Sequence, residues 1–287
     1  MRWLNRLLSL GPADPPAIPK DLWQTTLSQL TFLSYLSDDD RRRLKSLTER
    51  LLAKTPFTGI RDFELTDEMA VPIATQAALL VLNLSLDLYD DLSAVIITPD
   101  AFPIRQQVMD DIGIVHEWDE MLAGEAVDMG GAVLLSWSDV VPPDSGDERA
   151  LHNVVIHEFA HKIDMGRGGA NGYPPFLSPF HVRSDFVDWP QVFSAAYDDF
   201  CQRVDQLEAA LPDDYAPDNP LHAERYETLA AQLPMDPYAA SDPAEFFAVA
   251  SESFFVAPVP LASDYPEVYR LLARYYRQNP LAVSAHA

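Results

Sequence analysis

His157, Glu158 and His161 stand in the pattern His-Glu-x-x-His, inside the run Val154-Val155-Ile156-His157-Glu158-Phe159-Ala160-His161-Lys162-Ile163-Asp164. On an α-helix, residues four apart share a face, so the two imidazoles can present one nitrogen each to a single metal ion. Glu158 points about a quarter turn away, towards the coordination position such a pair leaves open. There it can take the proton of a water activated by the metal, which is the chemistry of a zinc-dependent hydrolase. Asp164 falls on the same face as both histidines and is a candidate to orient one of them from behind.

A catalytic zinc takes three protein ligands and keeps one position open. A metzincin would supply glycine at position 164 and histidine at 167; Asp164 and Arg167 exclude that class. The remaining histidines are poor candidates. His116 and His152 precede the motif, His152 on the same helix and facing elsewhere; His181 and His222 sit in loop-like segments, and His286 is in the tail. A glutamate from a later helix is the alternative. The segment Ser241-Asp242-Pro243-Ala244-Glu245-Phe246-Phe247-Ala248-Val249-Ala250-Ser251-Glu252 offers Glu245 and Glu252 on nearly one face of an otherwise apolar helix, where carboxylates need partners. Glu245 also fits a capping box, with Asp242 as N-cap and Pro243 at the first helical position. The residues alone leave both glutamates open as third ligand, the other orienting a histidine through its second ring nitrogen.

These side chains need a helix and a frame. Ser145-Gly146-Asp147-Glu148 reads as a capping box, Val154 to Ile156 carry the chain into the interior, and Gly166, Gly168, Gly169, Gly172, Pro174 and Pro175 stop the helix. The spacing predicts a helix of about twenty residues with the motif in its last two turns. Strands are expected at Phe57 to Leu65, Ala94 to Thr98, Gly113 to Trp118 and Ala132 to Trp137. The last of these could offer a free edge to an extended peptide, although an ordinary core strand is the better expectation. Helical periodicity covers Asp21 to Leu36, Asp38 to Lys54, Thr66 to Leu84, Trp189 to Ala210, Ser241 to Phe255 and Asp264 to Gln278, with an acidic proline-rich loop at Leu211 to Pro220. The expected class is α+β: an N-terminal helical hairpin (21–56), a small mixed sheet and C-terminal helices. Residues 1–20 read as a mobile leader, 21–280 as one domain and 281–287 as a tail.

Composition narrows the function. The net charge of −24 over 287 residues argues against nucleic acid or an anionic membrane as partner. One cysteine, Cys201, rules out an internal disulfide and a cysteine-rich metal site, and suits a reducing compartment. The short basic and apolar start is interrupted by Arg6 and ended by Gly11-Pro12, against a signal peptide. No run reaches the length of a membrane span. A monomeric cytoplasmic protein is expected.

The motif His157 to Asp164, together with Asp236-Pro237-Tyr238-Ala239-Ala240-Ser241-Asp242-Pro243-Ala244-Glu245-Phe246-Phe247-Ala248-Val249, resembles the Mlc titration factor A family. These are bacterial glucose-regulated zinc peptidases related to the anthrax lethal factor catalytic domain. The resemblance runs from about Trp23 to Pro280 and is most specific at these two segments. It implies a zincin fold of the gluzincin type holding one Zn(2+) per chain. It makes His157, His161 and Glu245 the zinc ligands, Glu158 the general base and Tyr238 a donor to the developing oxyanion, with Glu252 behind the ligands. It further implies a peptide or protein substrate, aminopeptidase-like activity and a transcriptional repressor of the Mlc type as partner. The reading from another class is a non-catalytic, repressor-binding regulator with a vestigial metal site.

Overall fold

The computed structural model describes residues 17–282 apart from 61–62, 100–101, 110–114, 123, 126–130, 141–151, 213 and 217, with backbone alone within 102–125 and at 167. The chain opens with α1 (Lys20–Gln29), a 3₁₀ turn (Thr31–Tyr35) and α2 (Asp38–Lys54). Ser37 caps α2 by accepting the Asp40 N–H, and three aspartates in the first turn complement the helix dipole. Ile18, inside the segment read as a leader, is buried and donates its N–H to Glu49 at 2.8 Å, so ordered packing begins before residue 21.

A short strand, β1 (Phe57–Gly59), leads to α3 (Asp67–Leu80). Helix α3 is apolar almost all round, so it is buried on all sides. Then come β2 (Val95–Thr98), a hairpin of β3 (Phe102–Met109) and β4 (Val115–Leu122), β5 (Gly124–Glu125) and β6 (Val133–Ser136), closed by the single turn α4 (Trp137–Val140). The main sheet runs β1-β2-β6-β5, parallel except for antiparallel β5; among the described residues β3 and β4 pair with each other alone. The structure is mostly helical, around this small sheet.

Of the strand predicted at Gly113 to Trp118, Val115 to Trp118 belong to the second arm of a hairpin whose first arm the periodicity did not show, and the expected core strand at Ala132 to Trp137 is borne out. The strand β6 is no free edge: it pairs with β2 along its length and with β5 at Leu134 and Leu135. Its Val133 and Leu135 are fully buried, as a core strand requires.

The motif helix, α5 (Val154–Asp164), is shorter than predicted. It starts at Asn153, whose side chain accepts the Ile156 N–H at 2.9 Å; the Ser145 capping box lies outside the described residues. All eleven residues of α5 are buried, between α3, the sheet and α8 (Pro243–Val256). Between these come α6 (Trp189–Ala209) and α7 (Pro220–Ala230); α9 (Pro258–Asp264) and α10 (Pro266–Tyr276) finish the fold. Helix α7 buries no residue, which is why apolar spacing missed it. The last helix expected at Asp264 to Gln278 is α10, while α9 just before it was not expected; each is started by a proline in its first turn, Pro258 and Pro266. Trp189, Phe193, Phe200, Phe246, Phe247 and Tyr275 lock α6, α8 and α10 together. No helix among the described residues is long and apolar enough to cross a membrane.

Candidate active site

Helix α5 brings His157 and His161 to one point because they lie one turn apart on the face towards α8; their Nε2 atoms are 3.1 Å apart. Helix α8 delivers Glu245 to the same point from its first turn. There Asp242 caps the helix by accepting the N–H groups of Ala244 and Glu245, at 2.7 and 3.0 Å. The capping residue is thus as expected, but the Glu245 side chain turns to the histidines, its Oε2 3.0 Å from His157 Nε2 and 3.2 Å from His161 Nε2. Among the described residues, these three form the one group of histidine, cysteine and acidic side chains converging closely enough to hold a metal.

Glu252, two turns along α8, lies behind His157. Its carboxylate is 1% exposed and accepts from His157 Nδ1 and from the Asn153 backbone N–H, both at 2.6 Å. One carboxylate thereby fixes the ring of His157 and the start of α5, and Asn153 Nδ2 ties the same corner to Gln76 of α3 at 2.7 Å. Glu158 is buried one residue after His157. Asp164 lies within electrostatic reach of His161, and its Oδ2 accepts the N–H groups of Asn171 and Gly172, both at 2.6 Å, folding the glycine-rich loop back under α5. Its Oδ1 and the Nδ1 of His161 have no hydrogen-bond partner among the described residues. Tyr238 lies on a 3₁₀ turn (Pro237–Ala240) capped by Asp236, half-exposed, its ring centroid 6.1 Å from that of His157.

The model for the glucose-regulated metallo-peptidase M90 family matches residues 12–277. The chain belongs to that family. It is 35% identical over 280 residues to an uncharacterized protein of Synechocystis, covering 97% of this chain and 90% of that one. It is 34% identical to the Mlc titration factor A of Pectobacterium atrosepticum over 94% of this chain and 91% of that one, and likewise to that of Serratia proteamaculans.

A tetrahedral zinc with bonds of about 2.0–2.1 Å spaces its donors about 3.3 Å apart. The three donors here stand 3.0 to 3.2 Å from one another. Burial would lower the His157 pKa, but hydrogen bonds to Glu245 and Glu252 outweigh it and push it up to about 10. Burial acts the other way on Glu245, yet the two histidines hold its pKa at about 2. Glu252 is also held low, against its burial, by His152 and His157, whereas burial raises Asp164. Two imidazoles and a carboxylate converging at this spacing are a donor set that fits a zinc-type cation.

The other histidines divide. His181 is buried and satisfied, its Nε2 meeting the Tyr275 carbonyl at 2.9 Å, and His222 accepts the Ala216 N–H; His116 and His286 lie outside the residues whose side chains are described. His152 is a correction. It is not on the motif helix, because α5 starts after it, and it faces the site: its Nδ1 is 3.4 Å from Glu252 Oε2 and its ring centroid 6.1 Å from that of His157. Only the true start of α5 could have revealed this. The Asn153 cap and the Gln76 contact were likewise hidden.

Proposed function

We propose that this protein is a zinc-dependent peptidase with a gluzincin fold and a single catalytic domain over residues 21–280. The observation that carries the reading is the convergence of His157, His161 and Glu245 beside a buried Glu158. His157, His161 and Glu245 are the ligands of one Zn(2+). That ion supplies Lewis-acid polarisation of the substrate carbonyl and acidifies the attacking water. Glu158 takes the water's proton and returns it to the leaving amine, general acid–base work typically worth about 10²–10⁴ in rate. Tyr238 donates its phenol proton to the oxygen on which charge builds up, a contribution of about 3 kcal/mol for a well-placed donor. Glu252 holds His157 with its Nδ1 protonated, leaving Nε2 as the ligand nitrogen. Asp164 supports the loop that closes around α5.

The relatives named Mlc titration factor A favour a second role that coexists with the first: capture of a transcriptional repressor of the Mlc type. Catalysis and capture separate in one experiment. Purified wild type and Glu158→Gln are assayed for bound metal, peptide-library hydrolysis and pull-down of such a repressor. The expected result is about one zinc in each protein and hydrolysis only by wild type. An active Glu158→Gln protein refutes the mechanism. Repressor binding without hydrolysis by wild type supports the regulator reading alone.

A further inference from the structure

His152 is a titratable group beside this site that the mechanism does not use. Its side chain is 42% exposed, whereas the side chains of His157 and Glu252 are 6% and 2% exposed. One nitrogen, Nδ1, rests on Glu252 Oε2 at 3.4 Å. The carboxylate it rests on is itself held by His157 and by the Asn153 backbone. The two nitrogens of an imidazole point to different sides, so anchoring Nδ1 leaves Nε2 for another partner. The rings of His152 and Tyr238 each lie 6.1 Å from that of His157. Both are exposed polar rings beside a buried trio, so a chain reaching the trio would pass them.

We propose that His152 is a substrate-positioning residue, its Nε2–H donating to a carbonyl or carboxylate oxygen of the bound peptide. The donor role follows from geometry: Nδ1 faces the Glu252 carboxylate at 3.4 Å and keeps its proton there, and the imidazolium that such a pairing favours carries a second N–H on Nε2. Hydrogen bonding to Glu252 holds the His152 pKa above the ordinary histidine value, against the opposing effect of burial, and Asp236 adds to the rise. The oxygen has two sources: a main-chain carbonyl of a longer peptide, or the terminal carboxylate of a short one. A carboxylate would also face Glu245, Glu252 and Asp236, so the main-chain carbonyl suits this acidic surround better.

The inference rests on the peptidase reading, and its test separates the two. Zinc-loaded His152→Ala, His152→Asn and His152→Gln are compared with wild type in zinc content, in KM and kcat, and in peptide affinity by calorimetry in a Glu158→Gln background. Each peptide is used as free acid and as C-terminal amide. Asparagine can keep the contact with Glu252, while glutamine can place a donor near the Nε2 position. The expected result is unchanged zinc, KM and Kd raised about ten- to a hundredfold in the alanine and asparagine variants, and partial rescue by glutamine. Equal losses for acid and amide assign the main-chain carbonyl; loss for the acid alone assigns the terminal carboxylate. Unchanged KM and Kd, or zinc lost along with His152, overturns the proposal. If wild type cleaves no peptide, the peptidase reading fails by itself, and the calorimetric loss still decides His152. Peptide binding by no protein overturns both.

Discussion

Glu252→Gln changes one atom and nothing of the shape, so its effect can be worked from the geometry. The carboxylate accepts two short hydrogen bonds, from His157 Nδ1 and from the Asn153 N–H, both at 2.6 Å. A glutamine keeps one acceptor and turns its NH₂ towards the other donor. Either the Asn153 N–H is left unpaired in the interior, or His157 must move its proton to Nε2 and so present the wrong nitrogen to a metal. An unsatisfied buried donor costs about 1–3 kcal/mol. A lost partner behind a histidine ligand lowers metal affinity about 10- to 100-fold, or about 1.4–2.7 kcal/mol. Two measurements follow: zinc affinity by competition with a chromophoric chelator, and thermal unfolding in excess chelator. Zinc binding is expected to weaken by that factor, and the metal-free melting temperature to fall by about 2–4 °C for each kcal/mol lost. A Glu252→Gln protein that binds zinc as tightly as wild type and melts with it would refute the orienting role. Glu245→Ala serves as the contrast, because it removes a ligand atom rather than a support and should abolish zinc binding.

Three further outcomes are expected. Gly172→Ala introduces a side chain at φ +79 whose Cβ would lie 2.5 Å from the Pro243 carbonyl oxygen; the left-handed backbone alone costs about 1–2 kcal/mol, and calorimetry should show at least that loss. Tyr238→Phe should lower kcat by about 10²–10³ with KM and zinc content little changed, and an unchanged kcat would remove the phenol from the reaction. In the metal-free protein the pH dependence is set from both sides. The His157 pKa is raised from 6.5 to about 10, so its contribution is full below 6.5 and is lost as pH rises through 10. The Glu245 pKa falls from 4.5 to about 2, so its contribution is present above 4.5 and is lost as pH falls through 2. Urea midpoints in chelator should therefore decline from about pH 6.5 to about 10; a rise over that range would contradict the His157 pairing.

Much of the site was legible because its signals are local. His157 and His161 must share a face wherever their segment is helical, and Glu158 follows between them. Asp242 and Pro243 mark the start of α8 by capping chemistry alone. Family resemblance, not periodicity, separated Glu245 from Glu252 as the candidate ligand. Other features depend on distant partners. The start of α5 moved to Asn153, whose side-chain cap and contact with Gln76 anchor it there. That shift took His152 off the helix and placed it beside Glu252.

The sequence by itself determined which residues could do chemistry, and the helical nature of the two segments that carry them. It also determined the broad class, since alternating strands and apolar helices allow little else. Tertiary structure decided which carboxylate meets Nε2 and which meets Nδ1 of His157, because that depends on how α8 crosses α5. It decided that β6 is an inner strand, since β5 comes from a segment with no pattern of its own. It gave Asp164, besides its place near His161, the anchoring of the loop at Asn171 and Gly172. In each case the physical reason is the same: a buried polar atom takes the partner the packing brings within reach, and packing is set by the whole chain.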